Sequence, residues 1–91
     1  MALYNETVGL KIEFNINIDI KDISEAYIIF LKPDKTRLEK PVLFENDKLT
    51  YITTSDVLDT VGVYKYQLKV ILKSGYIGYD DIKTITIKKR I

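Results

Sequence analysis

The chain has no cysteine, no histidine and no tryptophan, and its 91 residues carry a formal charge of only +1. Each absence removes a class of function. Without cysteine there is neither a disulfide framework nor a thiolate metal site, so the expected setting is inside a cell or in a particle assembled there. Without histidine the commonest general base and the usual zinc ligand are missing, so neither an enzyme nor a cofactor is expected. A charge so near neutrality lacks the basic face that nucleic acid requires, and Lys88-Lys89-Arg90 reads as a solvated terminal strand or tail. No apolar run reaches membrane-spanning length, so no membrane partner is expected. The opening Met-Ala-Leu-Tyr-Asn-Glu has neither the basic start nor the apolar core of a signal peptide, and Asn5-Glu6-Thr7 reads as a chance match to a glycosylation acceptor.

What the chain does have is alternation. Over residues 8–20 the even positions Val8, Leu10, Ile12, Phe14, Ile16, Ile18 and Ile20 are apolar, while Lys11, Glu13, Asn15 and Asp19 are polar. Period two is the signature of a strand with one buried face, and no helical period occurs anywhere. Thirteen residues exceed an ordinary strand, so this one is expected to bend, or to end as two shorter strands, near residues 15–19. So short a chain builds a single core, giving one domain over 1–91 with 1–7 as an N-terminal arm.

Further along, 19–25 reads as a loop and 26–32 as a strand. Tyr27, Ile28, Ile29, Phe30 and Leu31 make that strand apolar on both faces, which implies either a central position or an outer face covered by a partner. Lys32-Pro33-Asp34-Lys35-Thr36 is a turn, with Pro33 presetting φ and Asp34 tolerating the next position. The return strand is expected over 36–45, with Pro41 marking an edge or a bulge. Asn46 and Asp47 turn the chain into a strand over 48–54, with Leu49, Tyr51 and Thr53 on one face. A polar crossing at 55–60 carries Val57 and Leu58 as core plugs. Gly62 then opens a long strand pointing Tyr64, Tyr66, Leu68, Val70 and Leu72 inward. Ser74-Gly75 is a tight turn. The last strand, 81–89, points Ile85 and Ile87 inward, and Ile82 on the wrong parity implies a bulge or an outer contact. Six or seven strands at this spacing describe an all-β antiparallel β-sandwich.

The carboxylate pairs Asp80-Asp81, Asp19 with Asp22, and Asp56 with Asp59 read as polar turns, with a calcium site as the alternative. Tyr76 and Tyr79 form either a contact surface or a turn folding onto its own hairpin. Tyr4, with Ala2 and Leu3, forms an arm that could dock on a neighbouring subunit. Tyr4, Tyr27, Ile29, Leu31, Tyr76 and Tyr79 are thus the candidate contact residues.

Leu58-Asp59-Thr60-Val61-Gly62-Val63-Tyr64 resembles the corner into strand F of immunoglobulin-like domains, with Tyr66 where a cysteine usually stands. The chain also resembles a group of small immunoglobulin-like bacteriophage virion proteins, similar in plan to the N-terminal domain of phage baseplate upper proteins. The matching stretches are Gly9-Leu10-Lys11-Ile12, Asp22-Ile23-Ser24, Lys32-Pro33-Asp34-Lys35-Thr36, Tyr51-Ile52-Thr53, and Asp56 through Gln67. Lys35 stands where the pattern has glycine. The resemblance implies an immunoglobulin-like sandwich serving as a structural part of a virion (tail, baseplate, neck or capsid decoration). It would be assembled in the host cytoplasm and held by other virion proteins and by copies of itself. The alternative is a carbohydrate-binding or host-surface adhesion module using Tyr76, Tyr79 and Asp80 or Asp81.

Overall fold

Tyr64, Leu68 and Val70 lie on the longest strand, β7 (Gly62–Leu72), and the larger sheet is built around it. The computed structural model describes residues 3–4, 8–16, 18–45 and 48–91. Its other strands are β1 (Leu3–Tyr4), β2 (Lys11–Phe14), β3 (Ile23–Leu31), β4 (Arg37–Pro41), β5 (Leu43–Glu45), β6 (Lys48–Ile52), β8 (Ile77–Tyr79) and β9 (Lys83–Lys88). A 3-10 turn covers Ile20–Asp22, and no α-helix occurs among the described residues. The larger sheet runs β1-β9-β7-β3-β4 with β8 also on β7, and the smaller runs β2-β6-β5. All pairs are antiparallel except β1 with β9. The two sheets pack as an all-β sandwich.

Alternation fills the space between them. Ile12, Phe14, Leu49 and Tyr51 come from the small sheet and Ala26, Ile28, Phe30, Tyr64, Leu68, Val70 and Ile87 from the large one. Each large apolar side chain so buried contributes about 1.5–3 kcal/mol. Val57 and Leu58 are fully buried, as their place in a polar crossing suggested. Four rings bridge the sheets: Phe14 meets Tyr66 edge-on at 6.4 Å, and Phe30 lies 6.0 Å from Tyr66 and 5.8 Å from Tyr51.

Four elements differ from the sequence expectation, each for a local reason. β2 ends at Phe14 although the alternation runs on to Ile20. Phe14 pairs with Leu49, one residue from the start of β6, so the ladder runs out of partner. Ile16 and Ile18 pack against the core from outside any strand, and Ile20 does so from the 3-10 turn. β3 begins at Ile23, three residues early, because its register with β7 slips by one between Ile23 and Glu25. That bulge lets odd-numbered Ile23 and even-numbered Ala26 both point inward.

The single strand expected over 36–45 is two strands in different sheets. β4 ends at Pro41 on the edge of the large sheet, and β5 restarts at Leu43 in the small one. Buried Val42 is the pivot, its N–H donating to the Ala26 carbonyl at 3.0 Å. Since Val42 points its N–H at β3, the preceding position faces away, and a proline there forfeits no ladder bond. Lastly, 77–79 is a strand rather than a loop. It shares an edge of β7 with β9, and between the two Gln67 and Leu68 face three residues, 80–82. The wrong parity of Ile82 is therefore a one-residue bulge.

The 32–36 turn holds as expected, closed by Lys35 N–H to the Lys32 carbonyl and Lys32 N–H to the Thr36 carbonyl, both 2.9 Å. Lys35 takes the left-handed conformation, φ 69°, at the position where the phage pattern has glycine. The Asn46-Asp47 turn, Ala2 of the arm and the Asn5-Glu6-Thr7 triplet lie outside the described residues.

Candidate functional site: the outer face of the larger sheet

Strands β3 and β7 turn alternate residues away from the core, and on β3 these alternates are themselves apolar. Tyr27, Ile29 and Leu31 point outward from β3, and register places Lys65, Gln67, Lys69 and Ile71 beside them on β7. β4 adds Arg37, Glu39 and Pro41 opposite Leu31, Ile29 and Tyr27. From the other side β8 adds Tyr79 opposite Lys69, and Ile77 opposite Ile71. Part of this face is internally satisfied. The Lys69 ammonium sits 5.8 Å over the Tyr27 ring and 3.5 Å from the Glu39 carboxylate. The neighbouring Glu25 carboxylate, followed by burial, raises the Tyr27 hydroxyl above its ordinary pKa, so it stays protonated and able to donate.

Beside that cluster lies an open groove of about 300 Å³ lined by Ile29, Leu31, Arg37, Lys65, Gln67 and Ile82. The 80–82 bulge brings Ile82 here, 63% exposed. Three hydrogen bonds hold the bulge: Asp80 N–H to the Leu68 carbonyl at 2.9 Å, Gln67 Nε2 to the Asp80 carbonyl at 2.8 Å, and Asp81 N–H to Asp80 Oδ1 at 2.8 Å.

Three of the six candidate contact residues, Tyr27, Ile29 and Leu31, therefore share this face, and Tyr79 joins them. Tyr76 does not. Its ring lies over the core side of Gly78, where any added Cβ would come within 3.0 Å of Tyr76 Cε1. It borders a second groove with Ile16, Ile18, Leu68, Val70, Tyr79 and Asp80. Tyr76 packs against Gly78 of its own hairpin, and Tyr79, opposite Lys69 in register, borders that second groove as well. Tyr4 is exposed, and its strand pairs with the chain's own β9, Leu3 opposite Ile87 and Tyr4 opposite Lys88. Sequence reasoning left Arg37, Lys65 and Ile82 out of the site. Only the parity of Ile82 signalled it, because the cations acquire meaning from the lanes beside Leu31.

The carboxylate pairs have structural work. Asp19 accepts from Lys21 N–H at the start of the 3-10 turn, and Asp80 accepts within its bulge. Asp59 is gripped by Lys32 at 2.8 Å and Asp56 by Lys40 at 2.9 Å, tying the 32–36 hairpin and β4 to the 55–60 crossing. Lys40 first, and then the Thr54 hydroxyl, pull the Asp56 pKa down to about 2. Asp59 is lowered chiefly by its hydrogen bond from Lys32, and Asp34 by the backbone N–H of Thr36. Beside them the fully buried Tyr64 accepts through its hydroxyl from Thr60 N–H at 2.9 Å, which closes the corner. Among the described residues no three carboxylates are grouped to hold a metal ion.

No family model matches the chain, and neither a curated protein nor a solved structure matches it.

Proposed function

We propose that this is a non-catalytic immunoglobulin-like structural module of a bacteriophage or prophage particle, acting through protein–protein contacts on the outer face of its larger sheet. The observation that carries the contact role is that face itself. Tyr27, Ile29, Leu31, Tyr79 and Ile82 are apolar or aromatic residues that the fold leaves outside the core, which is the composition of a surface meant to be covered.

Three features support the immunoglobulin-like part of the reading. The sheets β4-β3-β7-β9 and β5-β6-β2 reproduce the order in which strands C, F and G share one sheet and B, E and D the other. The Tyr64–Thr60 bond is a tyrosine corner at the start of strand F. Where such domains carry a B–F disulfide against a strand-C tryptophan, this chain packs the rings of Phe14, Tyr66 and Phe30 together. The particle assignment rests on the motif resemblance. Its partners are other virion proteins and further copies of the chain, and it is placed on the particle after assembly in the cytoplasm.

The test is gold labelling of particles purified from the source cells, with an antibody raised against the recombinant chain and shown to bind it in the native state. Label on head or tail supports the reading and locates the part. Particles without label would remove it.

A further inference from the structure

We propose that the groove between Arg37 and Lys65 is the docking site for an acidic, aliphatic-anchored peptide segment of a partner protein. The proposal rests on the protein-contact reading above and names the chemistry of the partner. In register, Leu31 lies directly between the two cations, opposite Arg37 on one side and Lys65 on the other. Strands about 4.8 Å apart put the two stems about 10 Å from each other across that leucine.

Of the three cations on this face, Lys69 is engaged by Glu39 and the Tyr27 ring. Arg37 and Lys65 have no carboxylate within ion-pair distance among the described residues. Two unpaired positive charges flanking a floor of Ile29, Leu31 and Ile82 are complementary to carboxylates flanking aliphatic side chains. An extended peptide with acids four positions apart and an aliphatic residue midway presents all three on one face and spans about 13 Å, within reach of the long Arg37 and Lys65 side chains. The apolar floor favours aliphatic side chains over a hydroxyl-rich ligand.

The probe is an end-blocked octapeptide, Gly-Ser-Asp-Ala-Leu-Ala-Asp-Gly, titrated into the ¹⁵N-labelled full chain and followed by amide chemical shifts. Shifts should centre on Ile29, Leu31, Arg37, Lys65 and Ile82, and weaken as salt is raised. The same peptide with Asn or Lys in place of both Asp residues should bind at least tenfold more weakly. In the chain, an Arg37→Glu, Lys65→Glu pair should lose at least tenfold in affinity with its melting temperature kept, and Arg37→Lys should retain binding. Three results would overturn the proposal: no shifts, equal binding of the Asn peptide, or shifts centred on Lys88-Lys89-Arg90. Groove shifts that follow protein concentration without peptide would instead mean that a second copy fills the groove, and would overturn it too. Gold labelling is independent of this outcome, so a silent groove on labelled particles removes the groove and leaves the structural role.

Discussion

Strand β3 carries two apolar faces that do different things. Ile28, Phe30, Tyr64 and Leu68 are essentially without solvent contact, while Tyr27, Ile29 and Leu31, their immediate neighbours in sequence, are half-buried or exposed. On β3 the hydropathy is similar on both sides, and only the presence of a second sheet separates them. The inner face makes the fold, and the outer face is surplus to it. An apolar residue in a strand therefore says that something covers it, and the architecture decides whether that something is the same chain.

The comparison breaks first, if it breaks, at Phe30. Phe30→Ala empties a site touching both Tyr51 and Tyr66 and should cost about 3–5 kcal/mol, enough to unfold so small a domain. A cooperative thermal melt near that of the parent would mean the inner face is misassigned. Tyr64→Phe keeps the packing and strands the Thr60 N–H; it should cost about 1–3 kcal/mol in urea denaturation. An unchanged midpoint would reduce the corner to packing alone. Lys35→Gly relieves a left-handed backbone and should gain about 0.5–1 kcal/mol by the same measurement, whereas a loss would mean the turn does not constrain that residue.

Acid sharpens the contrast at the charged end. Asp56 has a folded-state pKa near 2, below its unfolded value of about 3.9, so its contribution is fully present above about pH 4 and is lost as pH falls toward 2. Melting temperature should decline over that window, and Asp56→Asn should make the decline shallower. Smallest of all is Ile29→Thr on the outer face, which keeps β-branching and should change stability by no more than about 0.5 kcal/mol. A larger loss would make the outer face part of the fold.

Much of this architecture was legible from the period of the chain. The parity of Leu49, Tyr51, Tyr64, Leu68, Val70 and Ile87 was readable because a core needs alternation, and the 32–36 turn because proline and aspartate have fixed backbone habits. Illegible was what depends on a partner strand. Period two reports which way a residue faces and not whether a ladder exists, so Ile16, Ile18 and Ile20 keep the alternation without joining a strand. The Val42 pivot was hidden because passing from one sheet to the other keeps both flanks extended. The two bulges beside β7, at Ser24 and at 80–82, shift parity by one and so masked buried Ile23 and the strand β8. On the outer face, Tyr27, Ile29 and Leu31 were readable as apolar residues facing away from the core. Arg37 and Lys65 join them only through register.

Placing β7 at the centre of the larger sheet also orders the events of folding. Its pairing with β8 joins Ile71 to Ile77, six positions apart, whereas its pairing with β3 joins Leu31 to Lys65 across more than thirty. Closing the longer loop costs more chain entropy before any ladder bond repays it. Loop-closure entropy therefore favours the β7–β8 hairpin and the tight β3–β4 hairpin over the long-range pairing of β3 with β7. A chain in which β3 and β7 are still unpaired would present open backbone edges on both strands, the state in which pairing with another copy competes with folding.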